Sequence, residues 1–380
     1  MVLSMLGVLG LVGCGGKQTE GMTPEGKNLA LRRCESVFEA TSQLECYQKH
    51  FEKVRETEGL EQALDGVVDW HNSPDGERFA AYCHEVLHGL GETAMREAGN
   101  ENARISIFAK SRITCTGGFV HGALTEYYRR IEGREIIKNY KNLCQTLITS
   151  ITETVGKDAD GTGWLSWNCD HMLGHELYKA SSEDLVQGAG LCKFFELESD
   201  QRYGCEAGFY MEHYLTMGRT TGEGYAKAET IEDVHALCRA VDVEVARGCW
   251  SESGGMVYAN SDWSWAKSGE ACRTQTPDEV MLTACYEGLG RNIPPYAGYE
   301  PDQMMADCGE LGEVFAVENC AIQIARAMAM ELNEVETGRD ICQKLVVDEG
   351  RLNRCIRGVE ETGEQLAGSG FGGGVNVWER

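Results

Sequence analysis

Proline is scarce in this sequence, at 6 of 380 residues, and alternating apolar and polar runs of the kind that make half-buried strands are scarcer still. The two absences argue against a strand-built fold and leave long stretches uninterrupted for helices. Basic residues are also few. With 35 Lys and Arg against 60 Asp and Glu, the net charge is −25, and neither a basic run nor aromatic-basic interleaving offsets the repulsion of a phosphate backbone, so nucleic acid is excluded as a partner. Beyond the first 13 residues no apolar segment approaches the roughly 20 residues needed to cross a bilayer. No pair of cysteines has the tight C-x(2-4)-C spacing favoured by zinc sites. Phosphate-binding glycine loops, nucleophile elbows and dinucleotide fingerprints are missing as well. The length suits one large or two modest domains.

What is abundant is cysteine, 17 in all. Setting Cys14 aside leaves an even number, many in pairs with 10 to 12 residues between them. Such usage predicts disulfides and an oxidising compartment, because cytosolic thiols are kept reduced. Cys14 is set aside because of what precedes it. In MVLSMLGVLGLVGCGG an apolar run ends at Leu11-Val12-Gly13-Cys14, which resembles the signal of bacterial lipoproteins, although no Lys or Arg stands before the run. The resemblance implies that residues 1–13 are removed and that Cys14 carries lipid, palmitate included. It also implies that residues 14–30 form a flexible tether to a membrane. Gly15, where inner-membrane retention favours Asp, points to the outer membrane, facing the periplasm or the cell surface.

The cysteines keep time. Cys238, Cys272, Cys308 and Cys342 recur every 34 to 36 residues, and Cys249, Cys285, Cys320 and Cys355 follow them in step. Cys192 with Cys205 is an earlier copy and Cys34 with Cys46 an outlying one. Within a copy, Val317, Cys320, Ala321, Ile324, Ala325 and Met328 fall at three- and four-residue steps on one helical face. Thr276-Pro277-Asp278-Glu279 reads as a capped helix start, and Thr230-Ile231-Glu232-Asp233 as a second. A period near 35 residues fits two short antiparallel helices joined by one disulfide and stacked on their neighbours. The expected fold is therefore all-α, a solenoid-like array of αα-hairpin repeats with pairs Cys34–Cys46, Cys192–Cys205, Cys238–Cys249, Cys272–Cys285, Cys308–Cys320 and Cys342–Cys355. The array occupies 181–361, a His- and Cys-rich helical region 31–180, and a Gly-rich disordered tail 362–380. It resembles tetratricopeptide-type repeats, especially the disulfide-bridged variants of secreted proteins, without their consensus. That resemblance implies a scaffold with a protein partner on its surface.

Five of the 9 histidines sit in three motifs next to cysteines. CHEVLHGLGE supplies His84 and His88, CTGGFVHG supplies His121, and CDHMLGHE supplies His171 and His175. The two i,i+4 pairs place both imidazoles on one side of a helix, within reach of one metal ion. Two such pairs suggest a duplicated unit, and CEAGFYMEH repeats CTGGFVHG with Met211 in the place of His121. If the units pack face to face, the five histidines converge, with Glu176, Met211 and Glu212 as further ligands. Imidazoles suit a transition metal, namely zinc, copper or iron, and a thioether would favour copper. Cys83, Cys115, Cys144 and Cys169 are placed to fix the His-bearing helices, with their pairing left open. His50, His71, His213 and His235 lack such spacing and are read as surface or packing residues.

Two competing readings accompany this one. The histidines of a metal-free interaction or envelope scaffold would serve only its core. Alternatively, HEVLH extends through Gly91 to HExxHxxG, which resembles the metzincin peptidases and implies Glu85 as general base. Against it, Ala94 stands where their third ligand belongs, the HMLGH segment has no matching Glu, and strands to align a substrate are missing. Taken together, the three motifs also resemble uncharacterised secreted bacterial proteins, which implies a family without a reaction. Asp158-Ala159-Asp160-Gly161 resembles a calcium loop, but Cys169 replaces its bidentate Glu. Trp164, Trp167, Trp263 and Trp265 are read as packing residues or the lining of a groove.

Overall fold

The computed structural model describes residues 24–37, 40–71, 73, 76, 79–108, 110, 115–155, 162–181, 184–196, 200–219, 230–332 and 334–368. Cys14, the signal segment, the Asp158–Gly161 loop and residues 369–380 lie outside them. Among the described residues there is no strand, and twenty α-helices follow one another. None is long and apolar enough to cross a membrane.

The helices fall into two sets. One set carries the second cysteine of every disulfide pair but one: α2 (Ala40–Glu58), α8 (Thr162–Ala180), α10 (Asp200–Arg219), α13 (Val243–Glu252), α16 (Glu279–Tyr296), α18 (Val314–Leu332) and α20 (Glu349–Gly368). With α4 (Ala80–Glu97) and α6 (Gly118–Tyr128), these form one continuous row in which each helix packs on the next, from α2 through α4, α6, α8 and α10 to α20. The other set lies against the row: α1 (Pro24–Glu35), α3 (Leu60–His71), α5 (Glu101–Phe108), α7 (Gly133–Val155), α9 (Leu185–Gly190), α11 (Ile231–Val234), α12 (Ala236–Ala240), α14 (Gly254–Asn260), α15 (Trp265–Gln275), α17 (Pro301–Glu310) and α19 (Val335–Leu345). The all-α repeat fold is thus as expected.

All six expected disulfides are present, and the remaining four cysteines pair as Cys83–Cys115 and Cys144–Cys169. Cys144–Cys169 joins α7 to α8, so the staple that paces the C-terminal half begins well before residue 181. Cys83–Cys115 differs, since it links α4 to the turn that opens α6, two members of the row. The buried hydroxyl of Tyr128 lies 3.2 and 2.9 Å from the sulfurs of Cys144 and Cys169, and Tyr214 stands likewise against Cys238 and Cys249.

Several local expectations need correction. Helix α1 starts inside the stretch read as a flexible tether, and α20 runs to Gly368, inside the stretch read as a disordered tail. Thr276 ends α15 and does not start α16. Asp278 is the cap there, accepting from the Met281 amide, because extended backbone at Thr276 carries the chain two residues further before it turns. Thr230 behaves as expected, making a complete capping box with Asp233. On α18, Cys320, Ala321, Ile324, Ala325 and Met328 are buried, while Val317 is half-buried at its edge.

The four remaining histidines are packing residues. His50 is buried against Phe51, His71 is half-buried, and His213 sits between Tyr178 and Tyr214. His235 is wholly buried, 4.2 Å from the Trp250 ring, with Nδ1 unpartnered. Burial, aided by Arg239, pushes its pKa down to about 3, and burial pushes that of His213 down to about 4. The folded protein therefore keeps both rings neutral while the unfolded chain protonates them below about pH 6.5. Their contribution is full above that pH and is lost as pH falls through the window from about 6.5 toward 4 and below. Unfolding free energies from urea titrations at pH 7 and pH 5 are expected to differ by roughly 2 kcal/mol for His235 alone, at about 1.4 kcal/mol per pH unit. The His235→Phe variant should lose that part of the slope.

Candidate metal centre

Glycine sets the spacing of the row at its centre. A Cβ placed on Gly118 or Gly122 of α6 would lie 2.4 or 1.9 Å from the carbonyl oxygen of His84 or His88 on α4. The next pair repeats the arrangement: a Cβ on Gly208 of α10 would lie 1.7 Å from the His171 carbonyl oxygen on α8, and one on Gly174 would lie 2.1 Å from that of Cys205. No side chain fits between these backbones. Helices that approach so closely bring their flanking histidines into one shared layer, and the contact of α6 with α8 joins the two layers.

The five imidazoles follow one another through that junction. Ring centroids are 6.1 Å apart for His88 and His84, 5.2 Å for His84 and His121, 5.1 Å for His121 and His171, and 4.9 Å for His171 and His175. His121, His171 and His175 are buried, and His84 and His88 are half-buried. Trp167 stacks on His171 at an interplanar angle of 16°. The five are therefore brought together, as face-to-face packing of two units predicts, but as a chain of neighbours. Among the described residues a single trio of potential donors has its donor atoms all within 4.8 Å of one another, namely His71, Cys83 and Cys115. Both of its sulfurs are consumed in a disulfide.

Hydrogen bonds fix the tautomers. His84 Nδ1 is 3.0 Å from the Cys115 carbonyl oxygen, which only accepts, so Nδ1 carries the proton and Nε2 the lone pair. His175 Nδ1 is 2.7 Å from a carboxylate oxygen of Glu212, and His88 Nδ1 is 3.2 Å from one of Glu92. The bond from His88 holds the Glu92 carboxyl below its usual range, hence ionised and accepting. Three of the five rings thus donate from Nδ1 to oxygen, the arrangement that orients metal-ligating histidines. At the other face of His175, its Nε2 lies 3.2 Å from Nε2 of His171. Two nitrogens bound to one tetrahedral ion at roughly 2.0–2.1 Å stand about 3.3 Å apart, so this pair already has the length of a coordination edge. Nε2 of His121 is buried with no hydrogen-bond partner.

Burial and neighbouring imidazoles keep three of the rings, His84, His121 and His171, neutral. Burial first, then neighbouring imidazoles, lowers the pKa of His121 and His171 well below the usual value, and burial also lowers that of His84. Neutral imidazole is the form that binds metal. Beside His171, Asp170 is wholly buried with neither carboxylate oxygen partnered, and burial pushes its pKa up to about 7.

The other expected residues divide. Glu212 belongs to the centre, through His175. Glu176 pairs with Lys179, Met211 is half-buried, and Glu85 is exposed. Sequence reasoning missed Glu92 and Asp170, and it read Trp167 as packing or groove lining without placing it against His171. Glu92 stands four residues after His88 and Trp167 four before His171, so the helical spacing that selected the histidines also reaches both. Comparison of the chain with protein-family models, with curated proteins and with solved structures yields no match.

Proposed function

We propose that this is an extracytoplasmic lipoprotein, anchored through Cys14, whose disulfide-stapled repeats carry a transition-metal centre built on His84, His88, His121, His171 and His175. The observation that carries the reading is the His171–His175 pair: two Nε2 atoms at coordination-edge separation, one of them backed by Glu212 through Nδ1. The donor set suits zinc, copper or iron. The anchor rests on Leu11 to Cys14, and its envelope location on the disulfides, which need an oxidising compartment. The C-terminal repeats supply a surface for a protein partner.

The test is metal analysis of protein purified without a His tag. Stoichiometric metal is expected in the wild type and should be lost in His84→Ala/His171→Ala. Its persistence in that variant, or failure of the wild type to take up zinc, copper or iron, overturns the proposal. Glu212→Gln is expected to weaken metal affinity roughly 10- to 100-fold with helicity unchanged, as loss of an outer partner does elsewhere. Competition against a chelator measures it. Glu85→Gln should leave affinity unaltered, because that side chain is exposed. A peptidase activity abolished by Glu85→Gln with the metal retained would favour the hydrolytic reading instead.

A further inference from the structure

We infer that the centre holds two metal ions, one for each duplicated helix pair; the inference rests on the metal-binding reading above. A single ion with bonds of roughly 2.0–2.1 Å gathers only donors that lie within about 4.2 Å of one another. No three of the five imidazoles offer donor atoms that are mutually within 4.8 Å. What the structure offers is two pairs. His171 and His175, on α8, face each other at 3.2 Å. His84 and His88, on α4, both have Nδ1 bonded to an oxygen acceptor, so both present Nε2 as the lone-pair nitrogen.

Each pair also has its own outer carboxylate. Glu92 holds His88 and Glu212 holds His175, from opposite ends of the chain of rings. One ion shared by all five would need one such anchor, or several converging on the same point. Here the anchors are separated by the whole series of imidazoles. His121 lies between the pairs, with its ring 5.2 Å from that of His84 and 5.1 Å from that of His171. Its buried, unpartnered Nε2 is the one donor in the centre that belongs to neither pair. The backbone contacts have the same duplication, since Gly118 faces the His84 carbonyl as Gly208 faces that of His171. The second position is thus a repeat of the first, built by the same device on the preceding hairpin.

Zinc titration of the tagless full-length protein, with bound metal counted by elemental analysis after gel filtration, decides the matter. Two zinc ions per chain are expected in the wild type, and one each in His84→Ala/His88→Ala and His171→Ala/His175→Ala, with far-UV circular dichroism confirming unchanged helicity. One ion in the wild type overturns the two-ion inference while leaving the metal centre standing. No ion in the wild type removes the underlying reading itself. The wild-type count requires no variant to fold, so it stands even if a double substitution unfolds the chain.

Discussion

Replacing Gly208 with alanine is expected to destabilise the protein by about 3 kcal/mol or more and to abolish metal binding by His171. The sign is informative, because the same change in an ordinary helix interior stabilises by roughly 1 kcal/mol. At Gly208 the new methyl would sit 1.7 Å from the carbonyl oxygen of His171. A flexible side chain would move aside, but this oxygen belongs to the backbone of α8, so α8 and α10 must separate along their length. Forcing extra carbon into a packed core typically costs 1–3 kcal/mol, and more when only backbone can yield. Separation also carries His175 away from Glu212, since the two lie on α8 and α10 respectively. Gly309 on α17 is the control. A Cβ there meets nothing within 4 Å, so Gly309→Ala should raise stability by a few tenths of a kcal/mol up to about 1. Chemical unfolding of both variants measures the contrast. Equal effects at the two positions would mean that the close approach of α8 and α10 does not depend on glycine.

These glycines mark the limit of what the sequence makes legible. Cys308, Cys320, Cys342 and Cys355 announce their pairing because helices of fixed length return each thiol at a fixed interval. His171 and His175 announce a shared face because four residues make about one helical turn. Gly208 announces nothing. Read locally it weakens a helix, and its reason lies in a carbonyl oxygen 37 residues earlier, which no periodicity contains. The same distance hides Glu212 as the partner of His175, although its place beside Met211 in the duplicated motif brought it into view as a ligand. The division at residue 181 fails for a related cause. Cys83–Cys115 and Cys144–Cys169 span 32 and 25 residues, against 11 to 13 for the others. The period therefore vanishes from the sequence in a region where the row of helices continues. Asp170 was missed because a carboxylate next to a histidine ordinarily reads as solvated, and only its burial makes it unusual.

Two disulfides of similar energetic weight are expected to part company on function. Removing Cys83–Cys115 by double substitution to serine should cost about 3–4 kcal/mol, the chain-entropy value for a loop of its length. Removing Cys342–Cys355, which closes a loop of 13 residues, should cost about 3 kcal/mol by the same reasoning. Only the first touches the metal centre. Cys115 has φ 49°, a left-handed conformation unfavourable for a residue with a side chain, and Gly117 follows at 75°. That backbone turn aims the Cys115 carbonyl at Nδ1 of His84. Without the bond to Cys83, nothing covalent holds Cys115 in the left-handed region, and a serine there relaxes to an ordinary conformation. The carbonyl then swings away, and His84 loses the acceptor that fixes its tautomer. Metal affinity at the α4 pair should fall at least 10-fold, as when an outer partner is removed. The Cys342→Ser/Cys355→Ser protein, destabilised to a similar degree, should bind metal like the wild type. Urea unfolding gives the stability term and chelator competition under native conditions gives the affinity. If both variants lose metal equally, or neither does, the staple at Cys115 acts on the fold alone and does not position His84.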